Sequence, residues 1–494
     1  MTNATVVMLV VGSMLVIGLT IAVVRALNSK QESVLAFLLF MVAIVLAAKR
    51  PVLGLHIVLF FSLISDRQVA PWYPFNKNLS SPESLLFLSR TLTISPLEVL
   101  VAILFVSWIL GRIRRSKPFI AGHQFWAIVT FTVFIVIGYV NGIGSGGDLR
   151  IGLFEGRALF LVLPIYVVVT NDCDSIRIRR LMWTSVAAIA TNAIVALRYF
   201  NQLPAAQAST MHDLGEHQAA VMIDVVFILV LALFLYRGAS RTARVVLTLI
   251  CVPVAMTFLQ AQRRAAVVAL IVGVLLVMGS AWWRARRKFL IFGPALLIGL
   301  GLYTAAFWNS TSSAGFPAQA IKTVIAPQQV SARDASSDVY RQIENVDTNY
   351  TIRQNPVLGI GFGQKFYRPI ALADISFFEF YQYIPHNSIL FIWMKMGFGG
   401  FFSMMAMFAL AVTSGAAALI KERDPTKASL IMVGVAYVVM FAVFAFVDIA
   451  WVPQTMVFLG YALALCEASR CETDWRPDSS IESAAHSRKR VHAT

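Results

Sequence analysis

The chain has 494 residues, of which 58% are hydrophobic and only 13% are charged, and its net charge is +16. A soluble domain carries about a quarter charged residues, so this composition excludes a water-soluble globular protein of this size. The basic residues lie in short clusters between apolar runs, without an aromatic and basic platform for bases, so we expect no nucleic-acid partner.

Apolar runs long enough to cross a bilayer, which takes about 17 to 25 residues, recur from one end of the chain to the other. They predict an all-α fold, a polytopic membrane helical bundle of about fourteen spans. The third predicted span is the shortest. The predicted spans are 5–24, 33–48, 52–65, 94–110, 124–140, 152–170, 181–199, 219–236, 245–260, 265–282, 289–307, 398–420, 428–446 and 453–469.

The loops predict the orientation in the membrane. A cluster of Lys and Arg follows every even-numbered span from the second to the twelfth, and cytoplasmic loops carry such an excess. We therefore expect both termini in the cytoplasm. The polar tail 471–494 is predicted to be disordered and cytoplasmic. The first apolar run lacks a basic segment before it, which favours a retained helix over a cleaved signal, and we expect no disulfide.

Two predicted outer segments are long, 66–92 and 308–385, and a long loop held between spans is usually functional. The second contains a predicted helix over 336–347 and then a turn with Gly359, Gly361 and Gly363. That turn could be a phosphate-binding nest, but we favour a flexible turn. The chain divides into N-terminal spans (1–150), central spans (151–307), the large loop with its following motif (308–400), C-terminal spans (401–470) and the tail (471–494).

Charged residues of the predicted spans gather near the outer interface instead of running through the bilayer, which is typical of a site for a membrane-embedded substrate with a polar head. Snorkelling to water is the alternative for each of them. Arg263 and Arg264 share a very short outer turn and suit a diphosphate. Arg157 is either a structural ion pair or a second phosphate ligand. The set is Glu98, Glu155, Arg157, Asp224, Arg263, Arg264 and Asp448.

A motif follows the long loop: His386-Asn387, nine residues, Gly397, two residues and Gly400. On one helix His386, Leu390, Trp393, Gly397 and Gly400 share a stripe, where the glycines would let another helix approach and His386 would stand at the outer mouth. Without a family pattern, we would interpret His386 as an interfacial helix-end residue. Asn387 either caps the helix or orients the histidine.

This motif resembles that of the O-antigen ligase and Wzy-type polysaccharide polymerase superfamily. The turn at 355–363, Arg341, the Arg263–Arg264 turn and the segment 156–159 are also similar to that family, over roughly 150–400. The resemblance implies a membrane-embedded, GT-C-like glycosyltransferase with a large helical periplasmic loop in the bacterial inner membrane. It implies inverting transfer without metal or cofactor. The donor would be an undecaprenyl-diphosphate-linked glycan, and the acceptor a lipid-linked glycan or lipid A–core.

The resemblance also implies roles for residues. His386 would be the catalytic base, and Arg157, Arg264 and Arg341 would match the family's outer arginines; we favour Arg264 over Arg263. Gly359, Gly361, Gly363, Gly397, Gly400 and Asn387 would support the site. We expect Lys395 to snorkel, although a ligand role is open, and we expect His212 and His217 to be solvated in an outer loop.

Several alternatives stay open. A polymerase is favoured slightly over a ligase by the span count, and a glycan-to-protein transferase is a further variant. A metal-dependent glycosyltransferase could use Asp66, Asp148, Asp334 and Asp338, although their spacing forms no paired motif. A flippase or exporter of lipid-linked glycans should show charges through mid-membrane. A structural envelope subunit ranks third.

Overall fold

The computed structural model describes residues 32–66, 78–81, 93–204, 214–310, 312–329, 331–375 and 378–469. The predicted first span, most of the segment 66–92, His212 and the tail 471–494 lie outside these residues. Every regular element within the described ranges is helical.

Sixteen α-helices follow one another in the described part of the chain. They are α1 (Glu32–Lys49), α2 (Pro51–Leu63), α3 (Pro96–Arg114), α4 (Phe125–Gly144), α5 (Leu149–Gly156), α6 (Val162–Asp172), α7 (Ser175–Gln202), α8 (His217–Tyr236), α9 (Arg241–Ala261), α10 (Arg264–Arg284), α11 (Arg286–Ala306), α12 (Phe316–Ile325), α13 (Ala332–Gln354), α14 (Ser388–Lys421), α15 (Pro425–Val447) and α16 (Pro453–Cys466). A 3₁₀ segment, Arg157–Leu161, joins α5 to α6, so the predicted sixth span is a broken helix.

Ten helical stretches in these ranges are long and apolar enough to cross a membrane, with α5 to α6 taken as one stretch. The chain is therefore a multi-pass membrane protein. Thirteen of the predicted spans coincide with helices, but those near 33–48, 52–65 and 453–469 are shorter than a usual span. The count of about fourteen therefore stays a prediction.

Side-chain caps explain why many of these helices begin where they do. Ser95 accepts a hydrogen bond from the Glu98 amide and Glu98 bonds back to the Ser95 amide, which forms a capping box at α3. Asp148, Asp174, Ser240 and Asp424 cap α5, α7, α9 and α15 in a similar way. Each cap pairs amides at the helix start that have no partner within the helix.

Helix α15 lies at the centre of the bundle, packed against α8, α10, α14 and α16. One continuous apolar cluster extends from Phe40 to Ala468. In contrast, only 6% of the apolar stretch of α11 is buried within the protein, so most of the surface of this helix faces lipid.

The segment 308–385 folds at the end of the bundle where α8 and α14 begin; we call this the loop end. Helix α13 covers the predicted helix at 336–347 and extends it in both directions. Helix α14 begins at Ser388, ten residues before the predicted span, and has a kink at Gly397. The residues before this kink therefore form a separate piece that faces the loop end.

Candidate functional site

A cavity of about 810 Å³ opens at the loop end. Its walls come from the starts of α3, α8 and α14, from α5 and α13, and from the connection between α15 and α16. Four of the five charged or histidine side chains predicted for the site line this cavity: His386, Arg157, Arg263 and Arg341. Arg264 does not line it. The fold thus brings together residues that are up to 229 positions apart in the sequence (Arg157 to His386).

His386 is held by a carboxylate that the sequence analysis missed. The Nδ1 atom of His386 lies 2.9 Å from Oε2 of Glu344, and the His386 amide donates to the same oxygen at 2.8 Å. Glu344 lies on α13 and its side chain is 1% exposed. A carboxylate at Nδ1 places the proton there, so Nε2 carries the lone pair that can accept a proton.

Tyr340 lies beside this pair. Its ring meets the imidazole of His386 edge-on, with centroids 5.7 Å apart. Burial, reinforced by the charge of Glu344, raises the pKa of Tyr340 to about 12. The hydroxyl therefore stays protonated, and it is buried without a hydrogen-bond partner among the described residues. It can donate to a ligand in the cavity.

Asn387 caps α14. Its Oδ1 accepts hydrogen bonds from the amides of Ile389 at 3.1 Å and Leu390 at 3.0 Å. Of the two roles that we considered, the structure gives Asn387 the cap and gives the orientation of His386 to Glu344. The cap fixes the start of the helix directly after the histidine.

Arg157 forms the structural ion pair that we considered, and its role as a phosphate ligand stays a prediction. Its guanidinium lies 3.3 Å from Glu98 and donates to Asn78 at 2.5 Å, so it forms an ion pair with another helix. The same side chain lies over the ring of Phe154 and lines the cavity. Its 3₁₀ segment breaks the span at this point, which brings the guanidinium to the cavity wall.

The two adjacent arginines have different surroundings. Arg264 makes a two-pronged pair with Asp338, at 2.9 and 3.0 Å, and Asp334 lies 3.7 Å away. Arg263 lines the cavity and donates to the carbonyl of Gly215 at 3.5 Å. The geometry therefore favours Arg263 as the ligand-facing residue, whereas the sequence favoured Arg264. Arg264 instead anchors α13 to the start of α10.

Arg341 lies one helical turn after Asp338. One terminal nitrogen is 3.9 Å from the Asp338 carboxylate, and the Nε atom is buried without a partner among the described residues. The side chain lines the cavity together with His386. Because its charge is only loosely neutralised, Arg341 can attract an anion.

The turn at Gly359, Gly361 and Gly363 is packed against the bundle and is not the flexible turn that we predicted. All three have positive φ, and a Cβ atom at Gly361 would lie 2.2 Å from the Cα of Gly142. Three backbone amides within the turn donate to protein oxygens. They are those of Ile360, to the Met394 carbonyl at 2.8 Å, of Phe362, to the Gly138 carbonyl at 3.1 Å, and of Gly363, to the Glu155 carboxylate at 2.6 Å. These amides are not available to a phosphate, which argues against the nest.

The predicted helical stripe from His386 to Gly400 is wrong, because Gly397 leaves the helix with φ 66° and ψ −170°. A Cβ there would lie 1.9 Å from the carbonyl oxygen of Val357, so this glycine admits a loop and not a helix. Helix α4 approaches instead at Gly399, where Phe134 fills the space. At Gly400, the nearest atoms to a Cβ belong to Met396 of the same helix.

Replacing Gly397 with alanine is expected to destabilise the protein. Its backbone conformation alone costs a residue with a side chain about 1–3 kcal/mol, and the overlap with Val357 adds to this. Thermal unfolding in detergent measures the effect. Gly299→Ala is the matched control because its Cβ would meet nothing within 4 Å on helix α11, so that variant should be unchanged or slightly more stable. Equal melting temperatures for both variants would contradict the structure at Gly397.

The prediction that Lys395 snorkels is wrong. Its side chain is fully buried, 2.8 Å from Glu155, and it donates to the carbonyl of Gln364 at 2.5 Å. Glu155 lines the cavity and also accepts from the Gly363 amide. Lys395 therefore ties the buried Glu155 side chain to the glycine turn and its following residue Gln364.

A second histidine reaches the cavity. We predicted His217 to be solvated in a loop, but it begins α8, lines the cavity and has Nδ1 2.8 Å from both oxygens of Asp448. The Asp448 side chain is 4% exposed. The sequence did not suggest this pair, because the two residues are 231 positions apart.

The carboxylates considered as metal ligands contact protein groups. Asp66 accepts from the Glu216 amide, Asp148 caps α5, and Asp334 and Asp338 face Arg264. Among the described residues, no group of three or more His, Cys, Asp or Glu side chains is placed to hold a metal ion.

Comparisons with known proteins do not assign the chain to a family: no protein-family model matches it, and no curated protein is significantly similar. The motif pattern and the cavity are therefore the basis for a functional proposal.

Proposed function

We propose that the protein is an inverting, metal-independent glycosyltransferase that uses an undecaprenyl-diphosphate-linked oligosaccharide at the periplasmic face of the bacterial inner membrane. It polymerises lipid-linked repeat units of a surface polysaccharide, either O-antigen or exopolysaccharide. The proposal rests on one observation. A histidine held by a carboxylate and three arginines line one cavity at the end of the membrane bundle.

The acceptor side of the reaction is assigned to His386. A sugar hydroxyl is a weak nucleophile, and a base within hydrogen-bond reach makes it reactive by accepting its proton during attack. Glu344 orients the ring through Nδ1 and stabilises the imidazolium that forms. Because Glu344 is buried in α13, it holds the ring in one direction before substrate arrives.

The donor side is assigned to the arginines. As the bond between the anomeric carbon and the diphosphate breaks, its electron pair passes to the leaving phosphate oxygen and negative charge grows there. Arg263 and Arg341 line the cavity and would stabilise that charge, with Arg157 as a more rigid contributor because it is already bound to Glu98. One direct displacement inverts the anomeric configuration.

The apolar part of the wall suits the lipid. Leu97, Phe378, Phe391 and Trp451 line the same cavity as the polar groups. A polyprenyl tail needs such a surface, since each buried methylene contributes about 0.8 kcal/mol. A cavity with polar and apolar walls at a membrane interface is suited to a substrate that is lipid at one end and glycan at the other.

The proposal is tested with purified protein in liposomes that contain the host's undecaprenyl-diphosphate-linked repeat unit. We expect a ladder of glycan lengths from the donor alone, with release of undecaprenyl diphosphate. Turnover only after lipid A–core is added would make the protein an O-antigen ligase. Transport of the donor across the bilayer without any release, beside an active control enzyme, would overturn the proposal and favour a flippase or exporter.

A further inference from the structure

The pair His217–Asp448 has no role in the reaction described so far, although it lines the same cavity as His386–Glu344. The two pairs come from different elements. His217 begins α8 and Asp448 follows α15, whereas His386 precedes α14 and Glu344 belongs to α13. A second imidazole held by a buried carboxylate is more than packing requires.

Ser388 links the two pairs. Its hydroxyl donates to the carbonyl of Asp448 at 2.8 Å and accepts from the amide of Ala450 at 2.8 Å. The indole of Trp451 donates to the Ser388 carbonyl at 2.7 Å. Because Ser388 is two residues after His386, these bonds fix the position of Asp448, and through it His217, relative to the base.

Asp448 is an anion in this setting. Burial would raise its pKa, but the charge and hydrogen bond of His217, with Arg341 and His386 nearby, bring it to about 2. With Asp448 at Nδ1, an imidazolium at His217 would present Nε2–H to the cavity as a donor for a ligand. The His217 side chain is 38% exposed, so that donor is accessible from the cavity.

His217 lies on the wall that carries Arg263. Arg263 donates to the carbonyl of Gly215, two residues before His217, and both side chains line the cavity. One carboxylate, Glu216, lies on the same wall and accepts from the side-chain amides of Gln218 and Gln454. The Glu216 carboxylate is hydrogen-bonded to these two neutral amides, and Arg263 and His217 line the cavity beside it.

We propose that His217, held by Asp448, is a second catalytic histidine that donates a hydrogen bond to the leaving diphosphate. This rests on the proposed function. The acceptor oxygen bonds to the anomeric carbon and its proton passes to Nε2 of His386. The bond from that carbon to the phosphate oxygen breaks, and the oxygen keeps the electron pair. The extra negative charge is stabilised by His217 and Arg263, without transfer of the His217 proton.

The first test separates the two histidines with azide, a small anion that attacks without losing a proton. In the liposome assay, His386→Ala and His217→Gln are each expected to lower kcat for release of undecaprenyl diphosphate, His217→Gln by about a hundredfold. Sodium azide should restore release in His386→Ala, with formation of a glycosyl azide. It should not restore release in His217→Gln, since the nucleophile is not what that variant lacks. Rescue of both variants would place His217 on the acceptor side and overturn the proposal.

The second test separates catalysis from structure. His217→Lys keeps the cation, whereas His217→Gln keeps a neutral donor for Asp448, so a catalytic role predicts that Lys is the more active. Glutamine variants as active as lysine variants would overturn the proposal. Asp448→Asn removes the carboxylate that holds His217 and should match His217→Gln. If wild-type protein releases no undecaprenyl diphosphate, the proposed function itself fails. That result is distinct from a wild-type protein that is active while its His217 variants behave alike.

Discussion

His386→Ala is expected to lower kcat for glycosyl transfer by about a hundred- to ten-thousandfold, the usual contribution of a general base. The KM for donor should change little, because the arginines and the apolar wall that bind it are intact. Glu344→Gln should give a smaller loss in kcat, since the ring keeps a hydrogen-bonding partner but loses the charge that stabilises the imidazolium. Initial rates of undecaprenyl diphosphate release give both values.

The matched control is His123→Ala, because His123 is an exposed histidine outside the cavity. It should retain wild-type kinetics. The melting temperature of each variant must be compared with that of wild type, because removing His386 leaves the buried Glu344 without that partner. The double variant His386→Ala, Glu344→Gln avoids leaving a buried, unpaired carboxylate. A double variant that folds and retains full transfer would contradict the role of His386.

Arg263→Ala and Arg264→Ala are expected to fail for different reasons. Arg263→Ala should lower kcat/KM by about a hundredfold with a smaller loss of melting temperature than Arg264→Ala, because it removes the charge that we propose faces the diphosphate. Arg264→Ala should destabilise the protein by about 1.5–3 kcal/mol, since it breaks the two-pronged bond to Asp338. Thermal unfolding and donor-dependent kinetics separate the two effects.

A charge-swapped variant provides the control for this comparison. Arg264→Asp with Asp338→Arg should recover most of the melting temperature if Arg264 acts through that ion pair. Loss of transfer in a stable Arg264→Ala variant, with Arg263→Ala near wild type, would reverse the assignment and restore the preference that the sequence gave.

Within the described residues, ten of the spans predicted from the sequence coincide with helices long and apolar enough to cross a membrane, because apolar runs report burial in lipid or protein directly. The sequence could not predict how span six is broken at Arg157 or that α14 has a kink at Gly397, since both depend on tertiary partners. The glycine turn shows the same limit. Positive φ at Gly361 could be guessed from composition, but its docking against Gly142 required the fold.

The site was predicted in part. Four side chains chosen from motifs line one cavity, whereas Glu344 and Asp448 were missed. Glu344 belongs to a buried polar stripe on α13 with Asp347, Thr348 and Thr351. This stripe has helical spacing, but in a helix that is polar on all sides the sequence does not distinguish a buried polar face from a solvent-exposed one. Asp448 was noted only as one interfacial charge, because its partner lies on another helix.

The most direct test is a structure, by electron cryomicroscopy in lipid nanodiscs, of the His386→Ala variant with its undecaprenyl-diphosphate-linked donor. We expect the diphosphate against Arg263 and Arg341, the polyprenyl tail along the apolar wall, and the anomeric carbon facing position 386. A donor bound elsewhere, or a diphosphate on the far side of the bundle from His386, would contradict the proposed function.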